Sequence, residues 1–439
     1  MRKFLTFSSL VLGLFVLSSC SSSRKLTKEL DSTFLNSEFL KNGYHGFIVY
    51  DPQEREVLYQ HNAEKYFTPA SNTKLFTFYT GIKLLEDSIP GIRYTVLGDT
   101  LFFGPTGDPS LLHEDYATSR VFDFLKTRQE TLAYIPASYK EKHFGPGWAW
   151  GDFNWYYSPE RGAFPIYGNY VKVTLSPTDT LPRVSPTYFQ NSFVPGEAYS
   201  GRGSGVMRDL KTNKFTYTID SQSRERVQDV PFVYSEHLAI ELLSDSLDRN
   251  IHIKESVPEN FHLVNTIYSI PSDSLYKPML QRSDNFFAEQ ILLLSAEAIS
   301  DTLRSDTAID YMMEHHLRDL PDKPQWRDGS GLSRYNLFTP RTMVKLLEKI
   351  REEVPQERLF ELLPAGGVSG TLRAWYKADE PYVFAKTGTL NNNHSLSGYL
   401  RTKTGKIFIF SFMNSNYVSR TSDVKGEMEH VLRTIHENY

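Results

Sequence analysis

One cysteine in 439 residues, Cys20, leaves no partner for an internal disulfide, so no stapled framework organises this chain. Charge of either sign is not in surplus: 48 basic residues face 52 acidic ones, a formal charge of −4. A partner held by neutralising phosphates would need a basic excess, so a nucleic-acid partner is excluded. No apolar run reaches the roughly 18 residues of a membrane-spanning helix. Twelve histidines are present without an H-E-x-x-H, so a zinc peptidase has no support. The Gly201-Arg202-Gly203-Ser204-Gly205 stretch lacks the spacing of a phosphate loop and reads as a plain loop. No repeat at a fixed period occurs. Tryptophan is scarce too, yet three of the five lie together as Trp148, Trp150 and Trp155; their size suggests a small local core.

What is present is ordinary for a globular protein: 40% hydrophobic and 23% charged residues, with aromatics high at 14%. At about 150 residues per domain the length predicts two or three folded units. Arg2 and Lys3 precede a mostly apolar Leu5 to Leu17, too short to span a bilayer. Leu17-Ser18-Ser19-Cys20 then resembles the bacterial lipobox. Residues 1–19 are expected to be a lipoprotein signal peptide and 20–27 a lipidated tether, with Cys20 carrying the lipid. That places the protein outside the cytoplasm, held to a bacterial membrane on its periplasmic side. Ser21 in place of an inner-membrane retention aspartate favours the outer membrane.

Beyond the tether, Gly46 to Tyr50 and Val57 to Tyr59 read as a hairpin around Asp51-Pro52-Gln53-Glu54. From Leu75 to Leu85 the apolar positions run nearly all round a helix, the pattern of a buried one. Residues 96–257 have short alternating runs such as Val171 to Leu175 and Phe215 to Ile219, and are expected to form inserted β-rich subdomains. Helices dominate from 274 onward, with Thr339 capping and Pro340 opening one of them. Val383 to Leu390, Ser395 to Arg401 and Lys406 to Asn414 read as a β-meander, followed by an amphipathic helix from about Ser422 to Asn438.

Three short motifs carry chemistry. Ser71-Asn72-Thr73-Lys74 is S-x-x-K at the start of the buried helix. That spacing sets a hydroxyl and an amine on one helix face, a nucleophile with a base one turn away. Alone it is weak, since roughly one or two such matches arise by chance in a chain of this size. Ser283-Asp284-Asn285 follows ahead of a helical run, and Lys386-Thr387-Gly388 sits in a predicted strand. The three in this order are the signature of penicillin-recognising serine enzymes. The 212 residues from Ser71 to Ser283 far exceed the interval in small β-lactamases, which marks a large insertion.

Such an insertion resembles the penicillin-binding-protein-4 type of D-alanyl-D-alanine carboxypeptidase/endopeptidase. The phrases Gly107-Asp108-Pro109-Ser110-Leu111, Gly147-Trp148-Ala149-Trp150-Gly151-Asp152, Asp328-Gly329-Ser330-Gly331-Leu332-Ser333 and Gly370-Thr371-Leu372 are similar to that family as well. The resemblance covers about residues 45 to 415. It departs at Tyr156-Tyr157-Ser158-Pro159, where the family has a Tyr/Phe-x-Ala-Pro phrase, and residues 176–255 match nothing with confidence.

The resemblance implies an α/β (α+β) fold: a penicillin-binding, β-lactamase-like transpeptidase domain over 28–95 and 258–439, interrupted by the insert at 96–257. It implies that Ser71 is acylated, that Lys74 is the general base, and that Ser283 relays a proton to the departing D-Ala. Asn285 would hold Lys74 and the substrate amide. Lys386, Thr387, Gly388 and Thr389 would bind the terminal carboxylate, and the Ser71 and Thr389 backbone N–H groups would form the oxyanion hole. Asp152 would contact the stem peptide. The expected ligands are peptidoglycan stem peptides and β-lactams, with neither metal nor cofactor. Two other readings compete. A class A β-lactamase would use a Glu in an E-x-x-L-N phrase, which is absent between Ser71 and Ser283. A non-catalytic cell-wall scaffold would have no reason to keep all three motifs complete.

Overall fold

The computed structural model describes residues 27–439, apart from 29, 33–35, 41, 197–202, 257 and 259. The expected signal peptide, Cys20 and most of the tether lie outside the described residues. So do Gly201 and Arg202 of the glycine-rich loop. Among the described residues no helix is long and apolar enough to cross a membrane. The chain divides into two compact units. One comprises residues up to Asn72, Asp319–Trp326 and Asn336–Tyr439; the other comprises Thr73–Arg318 and Arg327–Tyr335.

The first unit is built on five antiparallel strands. Their order is Val383–Leu390, Asn393–Arg401, Ile407–Ser415, Tyr44–Asp51, Glu56–His61. The Ile407–Ser415 strand, apolar from Ile407 to Met413 except at Ser411, is buried along its whole length as the central strand of the sheet. Side chains alternate across it. Phe408, Phe410 and Phe412 share a core with Val424, Met428, Leu432 and Ile435 of the Thr421–Asn438 helix. The opposite face receives the Pro340–Glu353 helix, to whose Leu347 carbonyl the Tyr399 hydroxyl donates. That helix starts as the sequence predicts: Pro340 opens it, and the Thr339 hydroxyl accepts from Thr342 N at 3.2 Å. A mainly antiparallel sheet between helices is therefore the architecture of this unit.

In the second unit the Lys74–Leu84 helix packs on the Asn285–Ser300 helix. Phe78 meets Tyr276 edge-on at 5.3 Å. The rest is richer in strand but not purely β. One mixed sheet orders Ile251–Ile253, Thr131–Tyr134, Thr100–Pro105, Ser88–Leu97 and Asn265–Pro271, and two three-stranded sheets accompany it. Helices Arg120–Thr127 and Glu236–Leu247 contribute to the same core through Val121, Leu125, Leu242 and Leu243. The Ser88–Leu97 strand runs through the expected 95/96 boundary and pairs with Asn265–Pro271, beyond the expected one at 257/258. Pro90 and Gly91 hide that strand in the sequence, because neither residue carries the signature of a ladder.

The tryptophan cluster is not a core. Trp150 is 82% exposed and Trp148 and Trp155 are only partly buried. Trp150 to Asn154 form a single 3₁₀ turn, too short to enclose three indoles.

Candidate active site

In the first unit the chain enters the S-x-x-K motif through Ala70, whose φ of +48° is the left-handed region a non-glycine residue rarely adopts. Ala70–Thr73 form a 3₁₀ turn that runs straight into the Lys74–Leu84 helix, with Ser71 partly exposed. The K-T-G strand lies directly against this turn. A side chain at Gly388 would place its Cβ 2.4 Å from Pro69 O and 2.9 Å from the Ser71 and Asn72 amides, so only glycine permits the approach. Asn72, fully buried, ties the two segments by donating Nδ2 to Lys386 O at 2.9 Å and Ser395 O at 3.3 Å.

Along the strand, Lys386 is buried and donates Nζ to Thr387 O at 2.8 Å. The Thr387 hydroxyl donates to Thr371 Oγ1 at 2.7 Å. Thr389 pairs across the ladder with His394, and their Oγ1 and Nδ1 are 2.8 Å apart. Burial, with the Lys425 and Lys386 charges adding to it, holds the His394 ring down to about 3, so the imidazole is neutral. Its neutrality leaves Nδ1 free to accept the Thr389 proton.

In the second unit Lys74 is fully buried at the first position of its helix. Nζ donates to Asn285 Oδ1 and to Ser330 O, each at 2.6 Å. Burial pulls its proton affinity from the usual lysine value down to about 8; Asp328, Glu289 and Asp284 pull the other way. Asn285 in turn donates Nδ2 to Tyr157 O at 2.8 Å. The residue sits where it does because Asp284 caps its helix, accepting from Phe287 N at 3.0 Å. Ser283, just before the cap, has a φ of +64°. Thus Lys74 and Asn285 come together, although they lie 211 positions apart in the chain.

The 327–335 loop supplies the other acceptor for Lys74. Asp328, wholly buried, receives Gly331 N at 2.9 Å, Ser333 N at 2.6 Å and Trp148 Nε1 at 2.9 Å. Gly329 lets the loop approach the Asn285–Ser300 helix, since a Cβ there would lie 2.4 Å from Ala288 O. Asp152 is partly exposed and accepts from the Tyr157 hydroxyl at 3.1 Å. Among the described residues no group of His, Cys, Asp and Glu is arranged to hold a metal ion.

Several participants had no assigned role in the sequence. Asn72 lay inside the motif as a spacer, His394 follows it in the meander, and Glu289 and Arg161 carried no signal at all. Thr371, Trp148 and the Asp328 to Ser333 loop lie in phrases that carry the family resemblance.

Comparison with known proteins decides the family. The model of the D-Ala-D-Ala carboxypeptidase 3 (S13) family matches residues 26–435. The chain belongs to that family. It is therefore a peptidase of the hydrolase class. The chain is similar to D-alanyl-D-alanine carboxypeptidase DacB of Haemophilus influenzae, with 24% identity over 94% of each chain. The D-alanyl-D-alanine carboxypeptidase of Actinomadura sp. is 26% identical, over 90% of this chain and 81% of its own. The crystal structure of penicillin binding protein 4 (dacB) from Haemophilus influenzae shares the fold. Its TM-score is 0.74 at 18% identity, over 94% of this chain and 99% of that one. The α/β architecture inferred from the motifs is thereby established.

Proposed function

We propose that the chain is a serine-type D-Ala-D-Ala carboxypeptidase that trims peptidoglycan stem peptides through an acyl-enzyme on Ser71. The observation that carries the reading is Lys74: fully buried, three residues along the chain from Ser71, and depressed to about 8. A lysine of that kind is neutral in a useful fraction of molecules near neutral pH and takes a proton.

Ser71 Oγ would give its proton to Lys74 Nζ as it bonds to the carbonyl carbon between the two D-alanines. The C–N bond then breaks, and the proton passes through the Ser283 hydroxyl to the leaving amine. Water, deprotonated by the same lysine, attacks the ester and returns Ser71. Asn285 holds Lys74 and the substrate amide. Lys386 with Thr387 and Thr389 binds the terminal carboxylate, against the backbone at Gly388. The Ser71 and Thr389 amides face the oxyanion, worth about 3–4 kcal/mol per donor in comparable enzymes. Asp152 contacts the stem peptide. The same chemistry extends to D-amino-acid cross-bridges, hence to endopeptidase activity, and a penicillin would acylate Ser71 as a substrate mimic. The Cys20 lipobox supports an exported lipoprotein at the periplasmic side of a membrane.

Labelling with a fluorescent penicillin tests the reading. The intact protein should take up a label that persists, and Ser71→Ala should take up none. Rapid loss of label would mean a β-lactamase, and an unlabelled wild type a binding protein. Digestion of purified cell wall, with identification of released D-Ala and of cleaved cross-bridges, separates the two peptidase activities.

A further inference from the structure

Behind Lys74, in the second unit, lies a chain of buried charges that the acylation chemistry does not itself call upon. Ser330 has a double role there. Its carbonyl accepts from Lys74 Nζ at 2.6 Å, and its amide donates to Glu289 Oε1 at 2.8 Å. Glu289 lies on the same helix as Asn285, one turn along, and is fully buried. Its other oxygen receives Arg161 Nη1 at 3.2 Å. Arg161, only 1% exposed, is fixed in turn: Nη2 reaches Glu141 Oε2 and Lys142 O, each at 2.9 Å. Glu141 spends its second oxygen on Ser305 N and Oγ.

A buried ion pair of this kind is a poor device for stability, because desolvating both charges costs about what their attraction returns. Its place is more telling. One residue, Ser330, separates Glu289 from the Lys74 ammonium, and Glu289 is one of three carboxylates whose field reaches it, with Asp284 and Asp328. Glu289 itself faces Asp328 and Arg161. Arg161 faces Glu141, Tyr139 and Asp328 as well.

We propose that Glu289, anchored by Arg161, is a positioning residue for Lys74: it fixes the Ser330 backbone that holds the amine, and its charge sets how readily the ammonium releases its proton. The proposal rests on the reading of Lys74 as the base. Burial and the Asp328 charge raise the Glu289 carboxyl to about 7, close to the value of Lys74, so the two groups titrate over one range. Each proton taken up by Glu289 removes a negative charge from beside the lysine and lowers its proton affinity. Acid therefore loads Glu289 and thereby helps Lys74 stay neutral, which widens the pH range of acylation.

Single-turnover acylation by a fluorescent penicillin, measured from about pH 5 to about pH 10, tests this. In the wild type the rate should fall toward acid less steeply than tenfold per pH unit, because the two protonations oppose one another. Glu289→Gln keeps an oxygen for the Ser330 amide but removes the charge. Its acid limb should steepen to tenfold per unit, with the midpoint lower by about half a pH unit or more. A merely structural role would lower the plateau rate and leave slope and midpoint alone. That result overturns the proposal. So does a wild-type limb of full tenfold slope, which decides the matter even if Glu289→Gln fails to fold. A wild-type rate independent of pH would remove the lysine-base reading along with this one, and is thereby distinguishable from failure of the proposal alone.

Discussion

In the proposed mechanism the chemistry turns on Lys74, and its burial makes the expected consequences of change sharp. Lys74→Arg keeps a cation but supplies a group that does not deprotonate in this range, so acylation by a penicillin should drop on the order of 1,000-fold. Lys386→Arg retains a cation able to pair with a carboxylate and should leave measurable acylation with weaker binding. Stopped-flow acylation of both variants checks the assignment, and a fast Lys74→Arg beside a dead Lys386→Arg would reverse it. With pH, the wild-type rate should rise through an apparent value near 8, since below it the ammonium has no lone pair to take the Ser71 proton. His394 carries a pH dependence of stability in the same direction: its folded value of about 3 lies below the ordinary 6.5. Above 6.5 the ring is neutral folded or unfolded and contributes nothing. As pH falls from 6.5 toward 3 only the unfolded chain takes the proton, so stability is lost at a little over 1 kcal/mol per pH unit, roughly. His394→Asn keeps an acceptor for Thr389 and should remove that slope, as urea midpoints at two pH values would reveal.

At the scale of elements, the strand bearing Lys386 and the turn bearing Ser71 depend on a close backbone approach. Gly388→Ala sets a methyl 2.4 Å from Pro69 O, and the strand must withdraw. A displacement of about 1 Å costs on the order of 100-fold in rate, so acylation should fall by at least that much while the fold survives. Asn72→Ala frees the carbonyls of Lys386 and Ser395 from a buried donor and should cost about 2 kcal/mol in unfolding free energy. Elements with a local signature were legible. The Val383–Leu390 strand, the two strands after it, and the Thr339 cap with Pro340 all stand within two residues of where pattern and capping chemistry put them. The Ser88–Leu97 strand was not legible, because its ladder is made by partners at 100–105 and 265–271 rather than by its own alternation.

For the molecule as a whole, detergent-phase partitioning of cell lysates tests the proposed lipid anchor at Cys20. Wild-type protein should enter the detergent phase, and Cys20→Ser should move to the aqueous phase while keeping its penicillin label. Wild-type protein found in the aqueous phase would remove the anchor. The insert is also a whole-chain matter. It sends Tyr157 O to Asn285, so a segment that departs from the family phrase at Ser158 still meets the S-D-N motif.

The order of three motifs, a buried helix after Ser71, a meander around Lys386 and the family itself followed from the amino-acid sequence alone. The helix and the meander rest on spacing within a few residues, where chain connectivity does the positioning. The family rests on local motifs and their order along the chain. Tertiary structure decided the rest. Burial alone pulls Lys74 below an ordinary lysine, and burial requires the Asn285–Ser300 helix and the 327–335 loop, more than 200 residues away. Gly388 is a strand glycine until Pro69 O arrives beside it. Arg161 and Glu289 are two unremarked charges until folding removes both from water and sets them 3.2 Å apart. Desolvation and charge pairing act between residues distant in sequence, and no local pattern encodes them.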